Sequence, residues 1–290
     1  MKKICYAVFA LVMFASCEDM FGGDGTDLST GDIVKGLKEA LNVGTDSSTA
    51  MLSVANGYYG DAAVKILLPD EAQFIEKTIK QIDGIPFFST VSMEISEELD
   101  NLVLAINRSA EDAAKDVKPI FSQAITDLSI VDGLRILNGE VPGGDNDELK
   151  SSTGFDSLAA TNYLKMQTYN ALVDAYAPKV NAALGKKIIG NASATSIWNG
   201  ITSKWNGLME NYGSNTLAVA AIKGIEKSTG KSLNLHTVDV DLGEFTTQKA
   251  LDGLFLKVGD QEKAIRKNPF QWASDILRKV FGSVYEAVTK

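Results

Sequence analysis

One histidine, His236, and two cysteines, Cys5 and Cys17, occur in the 290 residues. A Ser-His-Asp or Cys-His nucleophile would depend on His236 alone, and no Gly-x-Ser-x-Gly elbow accompanies it. His236 therefore reads as structural or solvated, and zinc sites built on His and Cys are out of reach by count. Asp239 and Asp241 flank Val240, which on a strand would turn both carboxylates to one face. Such a pair can hold calcium or divide acid and base duties, but the preferred reading is that Asp241 caps a helix while Asp239 stays solvated. Gly224 to Ser232 approaches a phosphate-binding loop, but five residues separate its glycines where the motif has four. An alternating segment follows where a phosphate site needs a helix N-terminus, so Gly230 reads as a helix C-cap. Asp145, Asp147 and Glu148 lack EF-hand spacing. Arg108 and Glu111 stand three apart within an apolar helical pattern, share one side of the helix, and need partners there.

The elements that position these residues are helices nearly end to end. Six prolines in 290 residues permit long uninterrupted helices. Ile33, Leu37, Ala40 and Leu41 make the first apolar stripe, with Thr30 or Ser29 as cap and Gly44 as a stop. Phe74, Ile75, Ile79 and Ile82 follow Pro69. The stripe from Val91 to Ala113 predicts a long helix ended near Pro119. Ser129 followed by Asp132 resembles a capping box opening residues 130–137. Residues 139–153 read as a surface loop. Helical spacing then runs from Leu158 to Leu184, with Pro178 as a kink or break. Trp198, Ile201 and Trp205 read as core. Residues 233–242 alternate like a strand with a phase slip at His236-Thr237. Asp241 and Glu244 suit the start of the next helix, and Pro269 starts the last one. No fixed repeat is present. The expectation is all-α: one multi-helix domain with a short strand-like segment near 233–242.

The first residues carry an address. Lys2 and Lys3 precede the uncharged run 4–14, and the small residues Ala15 and Ser16 precede Cys17. A basic start, about a dozen apolar residues and a small-residue site describe a secretory signal, too short to span a bilayer, which takes roughly 20 residues. Phe14-Ala15-Ser16-Cys17 resembles a relaxed bacterial lipobox, whose cysteine is acylated after cleavage before it. The expected organisation is a signal at 1–16, a lipidated Cys17 with an acidic tether at 17–27, and a helical domain at 28–290. Removing residues 1–16 takes away Lys2, Lys3 and no acid, so the formal charge moves from −9 to −11. Only Cys17 then remains, no disulfide can form, and stability rests on burial. The acidic balance argues against nucleic acid and anionic lipid surfaces. The expectation is no cofactor and no metal, with membrane attachment through the lipid alone.

Several stretches resemble the bacterial domain of unknown function numbered 4197, from about residue 31 to 282. They are Gly36-Leu37-Lys38-Glu39-Ala40-Leu41 with Val43-Gly44-Thr45, Asn107-Arg108-Ser109-Ala110-Glu111 with Lys118-Pro119-Ile120-Phe121, and Ala159-Ala160-Thr161-Asn162-Tyr163-Leu164. Thr247-Gln248-Lys249-Ala250-Leu251-Asp252-Gly253-Leu254-Phe255, Ile265-Arg266-Lys267-Asn268-Pro269 and Pro69 complete the set. The resemblance implies a mostly helical exported protein, often a lipoprotein, and no particular activity. The lipobox and the acids after Cys17 resemble lipoproteins of the Bacteroidota. Asp156-Ser157-Leu158 resembles that phylum's O-glycosylation triplet, and serves equally as a helix start. Matching the motifs suggests a polar network of Asn107, Arg108, Glu111, Gln248, Lys249 and Asp252, with Arg108 paired to Asp252 and Glu111 to Lys249. Two functions are carried forward. The first is a binding or scaffold lipoprotein of the cell envelope, on the outer membrane, facing an envelope protein or ligand. The second is an envelope hydrolase working through carboxylates, with Asp239, Asp241 or the Arg108/Glu111 face as candidates.

Overall fold

The computed structural model describes residues 28–143 and 154–289. Among them lie ten α-helices and no strand. The chain is all-α. Cys17 and residues 144–153 lie outside the described residues, so the lipid site and most of the 139–153 loop are not placed.

Helix α1 (Thr30–Leu52) is the hub. Ser29 caps it: its Oγ accepts from the Asp32 N–H at 3.1 Å, while Asp32 accepts from the Ser29 N–H. Gly44 does not stop the helix, as expected from sequence, but lets it run on to Leu52. A Cβ there would meet Val258 at 3.0 Å, and one on Gly36 would meet Val280 at 2.6 Å. The two glycines allow α1 to approach α9 (Leu242–Lys267) and α10 (Asp275–Thr289) closely. Leu37, Leu41 and Leu52 of α1 are fully buried, and burial of each leucine contributes about 1.5–3 kcal/mol.

Helix α2 (Asp70–Ile82) follows Pro69 and lies on α3 (Ser89–Ala114). The α3 helix ends before Pro119, which sits instead inside the first turn of α4 (Val117–Asp127), where no intrahelical N–H is needed. Helix α5 (Gly133–Leu137) is shorter than the expected 130–137, because Asp132 itself is the cap and accepts from the Arg135 N–H. Ser129, expected to open it, offers only its carbonyl, to the Tyr163 hydroxyl. Helix α6 (Ala159–Leu184) continues through Pro178 without a break and packs on α9, α3 and α4. Helix α7 (Ala194–Asn211) lies on α3, and α8 (Thr216–Thr229) closes the row at Gly230, whose φ of +67° suits a glycine C-cap.

The alternating segment forms no strand. Residues 231–241 carry no helix, and no second strand lies beside them. Helix α7 supplies the missing ladder through side chains: Trp205 Nε1 donates to the His236 carbonyl at 2.9 Å, and Trp198 Nε1 to that of Val240 at 3.3 Å. Between them the Asn206 carboxamide binds both the N–H and the C=O of Val238, at 2.9 and 3.0 Å. Leu233 and Val238 point into the core, so the apolar alternation is real, but a helix face takes the polar edge. The two tryptophans are core residues that also bind backbone.

Asn206→Ala should therefore cost about 1–3 kcal/mol, since it strands the N–H and C=O of buried Val238. Urea denaturation followed by circular dichroism measures it, and a loss within error would mean that solvent satisfies those groups.

Candidate functional site

Residues 53–69 carry no regular helix and cross the molecule as a strap between α1 and α2. Two successive turns of α3 hold it. The Asn107 side chain, fully buried, accepts from the Ile66 N–H at 2.9 Å and donates to the Ile66 carbonyl at 2.7 Å. Glu111, 4% exposed, accepts with Oε1 from the N–H groups of Tyr58 and Tyr59, at 3.2 and 3.0 Å. Its Oε2 takes Arg108 Nη1 at 2.7 Å, and Arg108 Nη2 reaches Asn56 Oδ1 at 2.8 Å. A carboxylate buried this deeply requires such a set of donors. Asn56 adopts a positive φ of 70°, a conformation asparagine tolerates, which aims its side chain at the guanidinium.

The strap is also tied to α9. Tyr58 is buried and its hydroxyl donates to the Ala250 carbonyl at 2.8 Å; burial, then the neighbouring Tyr176 and Glu111, push its phenol well above the usual range. Gly253 leaves room for the crossing, since a Cβ there would meet the Tyr58 ring at 2.8 Å. Asp61 pairs with Lys257, and the Lys257 ammonium, followed by the Ala63 N–H, holds the Asp61 carboxyl below its usual range.

Arg108 and Asp252 do not meet, and neither do Glu111 and Lys249. Arg108 finds its acid one turn along its own helix. Asp252 instead accepts from Lys165 of α6 at 2.8 Å and from the Tyr169 hydroxyl at 3.3 Å. Burial, followed by that carboxylate's charge, raises the Tyr169 phenol to about 12. Lys249 lies over the Phe245 ring at 6.0 Å, and Gln248 donates to Glu244. The two motif stretches are joined, but through Tyr58, which the motif comparison did not single out.

Glu262 was missed altogether. It is 1% exposed on α9, and its carboxylate accepts the N–H groups of Ala160 and Thr161 and the Thr161 hydroxyl, at 3.0, 2.8 and 2.7 Å. Arg266, one turn on, donates Nε to Glu262 and its two terminal nitrogens to the carbonyls of Ile136 and Leu137. One ion pair thus satisfies the start of α6 and the end of α5. The Glu262/Arg266 spacing of four was the available signal.

Of the other sequence candidates, Asp241 accepts from the N–H groups of Gly243 and Glu244 and caps α9. Asp239 is exposed on a polar cleft of 570 Å³ beside Asn199, Thr202 and Glu210. His236 is exposed and stacks on Phe74 at 4.3 Å, away from any paired nucleophile. Asp156 binds the Leu158 N–H and the Asn162 amide, starting α6, with Ser157 half-buried between them. Among the described residues, no group of three His, Cys, Asp or Glu is placed to hold a metal ion.

A groove of 600 Å³ opens where the strap meets α9. Lys65, Leu67 and Pro69 form one wall; Gln248, Lys249, Asp252 and Leu256 form the other. The three α9 residues named from sequence thus share a surface, though not with Arg108 or Glu111.

These observations define a helical domain braced by two buried carboxylates, with a groove beside its strap. Residues 27–282 match the family model described as Protein of unknown function (DUF4197), and the chain belongs to that family. No curated protein and no solved structure matches it.

Glu111→Ala should cost about 3–5 kcal/mol, because it leaves the Arg108 charge and two strap N–H groups unpaired. Arg108→Ala and Asp252→Ala should cost less, and their double variant should be additive within about 0.5 kcal/mol, since they share no partner. Coupling above that in denaturant titrations would contradict the geometry. Because the folded Asp61 carboxyl titrates below the unfolded one, near about 3.9, its pairing stabilises at neutral pH. That contribution should vanish as pH falls through the folded value. The melting-temperature gap between wild type and Asp61→Asn should therefore close below about pH 4; a gap that persists would place the pairing elsewhere.

Proposed function

We propose that this chain is a lipid-anchored protein of the cell envelope whose helical body is a binding module. Cys17 carries the lipid, residues 18–27 are the tether, and the outer membrane is the site of attachment. The basic start, short apolar run and small-residue site before Cys17 support the anchor. Among the described residues no helix is long and apolar enough to cross a membrane. The observation that carries the binding reading is the 600 Å³ groove between strap and α9, of ligand-site size and walled by a segment that buried Asn107 and Glu111 immobilise. Against hydrolysis through carboxylates, Glu111 and Glu262 fill both oxygens with structural donors, and Asp241 is taken up in capping α9.

The test is expression of wild type and Cys17→Ser in a lipoprotein-processing host, followed by detergent phase partitioning and intact mass. Wild type should enter the detergent phase with the mass of a diacylated or triacylated chain starting at Cys17. The variant should lose both properties and keep its helical spectrum. Retention of Cys17→Ser in the membrane would overturn the anchor.

A further inference from the structure

The groove has a backbone edge as one wall. Ile66 directs both its N–H and its C=O to Asn107 on α3, which is the geometry of an extended residue. Peptide planes are trans throughout the described residues, so the groups on the other side of those planes, the Lys65 carbonyl and the Leu67 N–H, point away from α3. Neither has a hydrogen-bond partner among the described residues. Lys65, Ile66 and Leu67 line the groove and no residue of α3 does, so the groove does not lie on the side that Asn107 occupies. A carbonyl at one residue and an N–H two residues on are what a strand presents to one residue of a parallel neighbour. Pro69, which has no N–H, ends the edge.

The side chains around this edge select further. Leu67 is 63% and Leu256 43% exposed, two large apolar side chains on opposite walls. Lys65 and Lys249 have no carboxylate partner among the described residues, and lie over the rings of Tyr59 and Phe245. In a chain of net charge −9, two unpaired cations in one groove are notable. Of the acids on the same rim, Asp252 pairs with Lys165, while Asp70 and Glu71 have no cationic partner among the described residues and stand in the first turn of α2, where the helix dipole favours them.

We propose that the groove binds an extended polypeptide stretch of a partner protein by strand addition to the Lys65–Leu67 edge. One residue of the stretch donates its N–H to the Lys65 carbonyl and accepts from the Leu67 N–H. Its apolar side chains seat between Leu67 and Leu256, and acidic side chains meet Lys65 and Lys249. Asn107 acts as the fixed strand on the inner edge, holding the outer edge extended before any partner arrives, which lowers the ordering cost of binding. This names the partner class for the binding module proposed above and rests on that reading.

The experiment uses the full lipidated chain in detergent micelles and a fluorescein-labelled heptapeptide, Ser-Ser-Glu-Thr-Val-Ser-Ser, whose glutamate and valine stand two apart and so share one face, as Lys65 and Leu67 do. A twin peptide carries N-methyl groups on the central threonine and its neighbours, keeping every side chain but removing the backbone donors. Fluorescence polarisation should show saturable binding of the first peptide and at least tenfold weaker binding of the twin. Leu67→Pro deletes an N–H that the fold does not use, and should weaken the first peptide at least tenfold with an unchanged melting temperature. In hydrogen exchange, the Leu67 amide of wild type should be slowed by the peptide. Equal affinity for the two peptides, no binding of either, or an unprotected Leu67 amide would overturn the inference. So would doubling of mass without peptide that Leu67→Pro abolishes, because the edge would then belong to a second copy. Anchoring is read separately, by phase partitioning of Cys17→Ser, so the failure of one proposal is distinguishable from that of the other.

Discussion

The Glu111 carboxylate lies 4% exposed in the interior of an acidic protein, and much of the architecture follows from the need to surround it with donors. One oxygen takes two backbone N–H groups of the strap, the other takes Arg108. A 17-residue stretch without helix would otherwise be free to move over the helices, since its own backbone makes few internal bonds. Pinned at Tyr58, Tyr59 and Ile66, it becomes a rigid wall. The same pinning places Tyr58 so that its hydroxyl reaches Ala250, and it is this phenol, not an ion pair, that couples α3 to α9.

Glu262 applies the same rule at the other end of α9. Its carboxylate lies over the first N–H groups of α6, and Arg266 beside it binds the last carbonyls of α5. Helix ends buried in a core must find partners, and here one turn of a third helix supplies both signs of charge. These pairs gain little free energy over an apolar replacement, but they tolerate only one arrangement of the three helices. The Glu262–Arg266 pair near one end of α9 and the Tyr58 hydroxyl on Ala250 toward the other orient the helix that α1 packs against through Gly44.

Asn107 and Asn206 show a second economy of the fold. Each presents a carboxamide to the N–H and C=O of one extended residue, Ile66 and Val238 respectively. A carboxamide has the donor and acceptor spacing of a peptide group, so a helix face can hold an extended segment without a sheet. Extended segments can thereby be built into an all-α protein, and each keeps an outer edge that is not consumed by the fold.

The helical class and most helix positions were legible in the residues themselves, because apolar spacing of three and four is a local property of the chain; the family was legible only as a resemblance of motif stretches. Also legible were the C-cap at Gly230 and the N-cap at Asp241, which depend on neighbours a few positions away. The tertiary structure alone decided which charge meets which. Arg108 turned to Glu111 on its own helix and Asp252 to Lys165, since the strap, whose course no periodicity announces, lies against Gly253. It decided that Gly44 is a contact and not a stop, because only Val258 on a helix more than 200 residues away shows why a side chain is absent. It decided too that residues 231–241 stay single: alternation reports that one face is buried, but whether the edge finds a strand or a row of tryptophan and asparagine side chains depends on what the fold brings beside it.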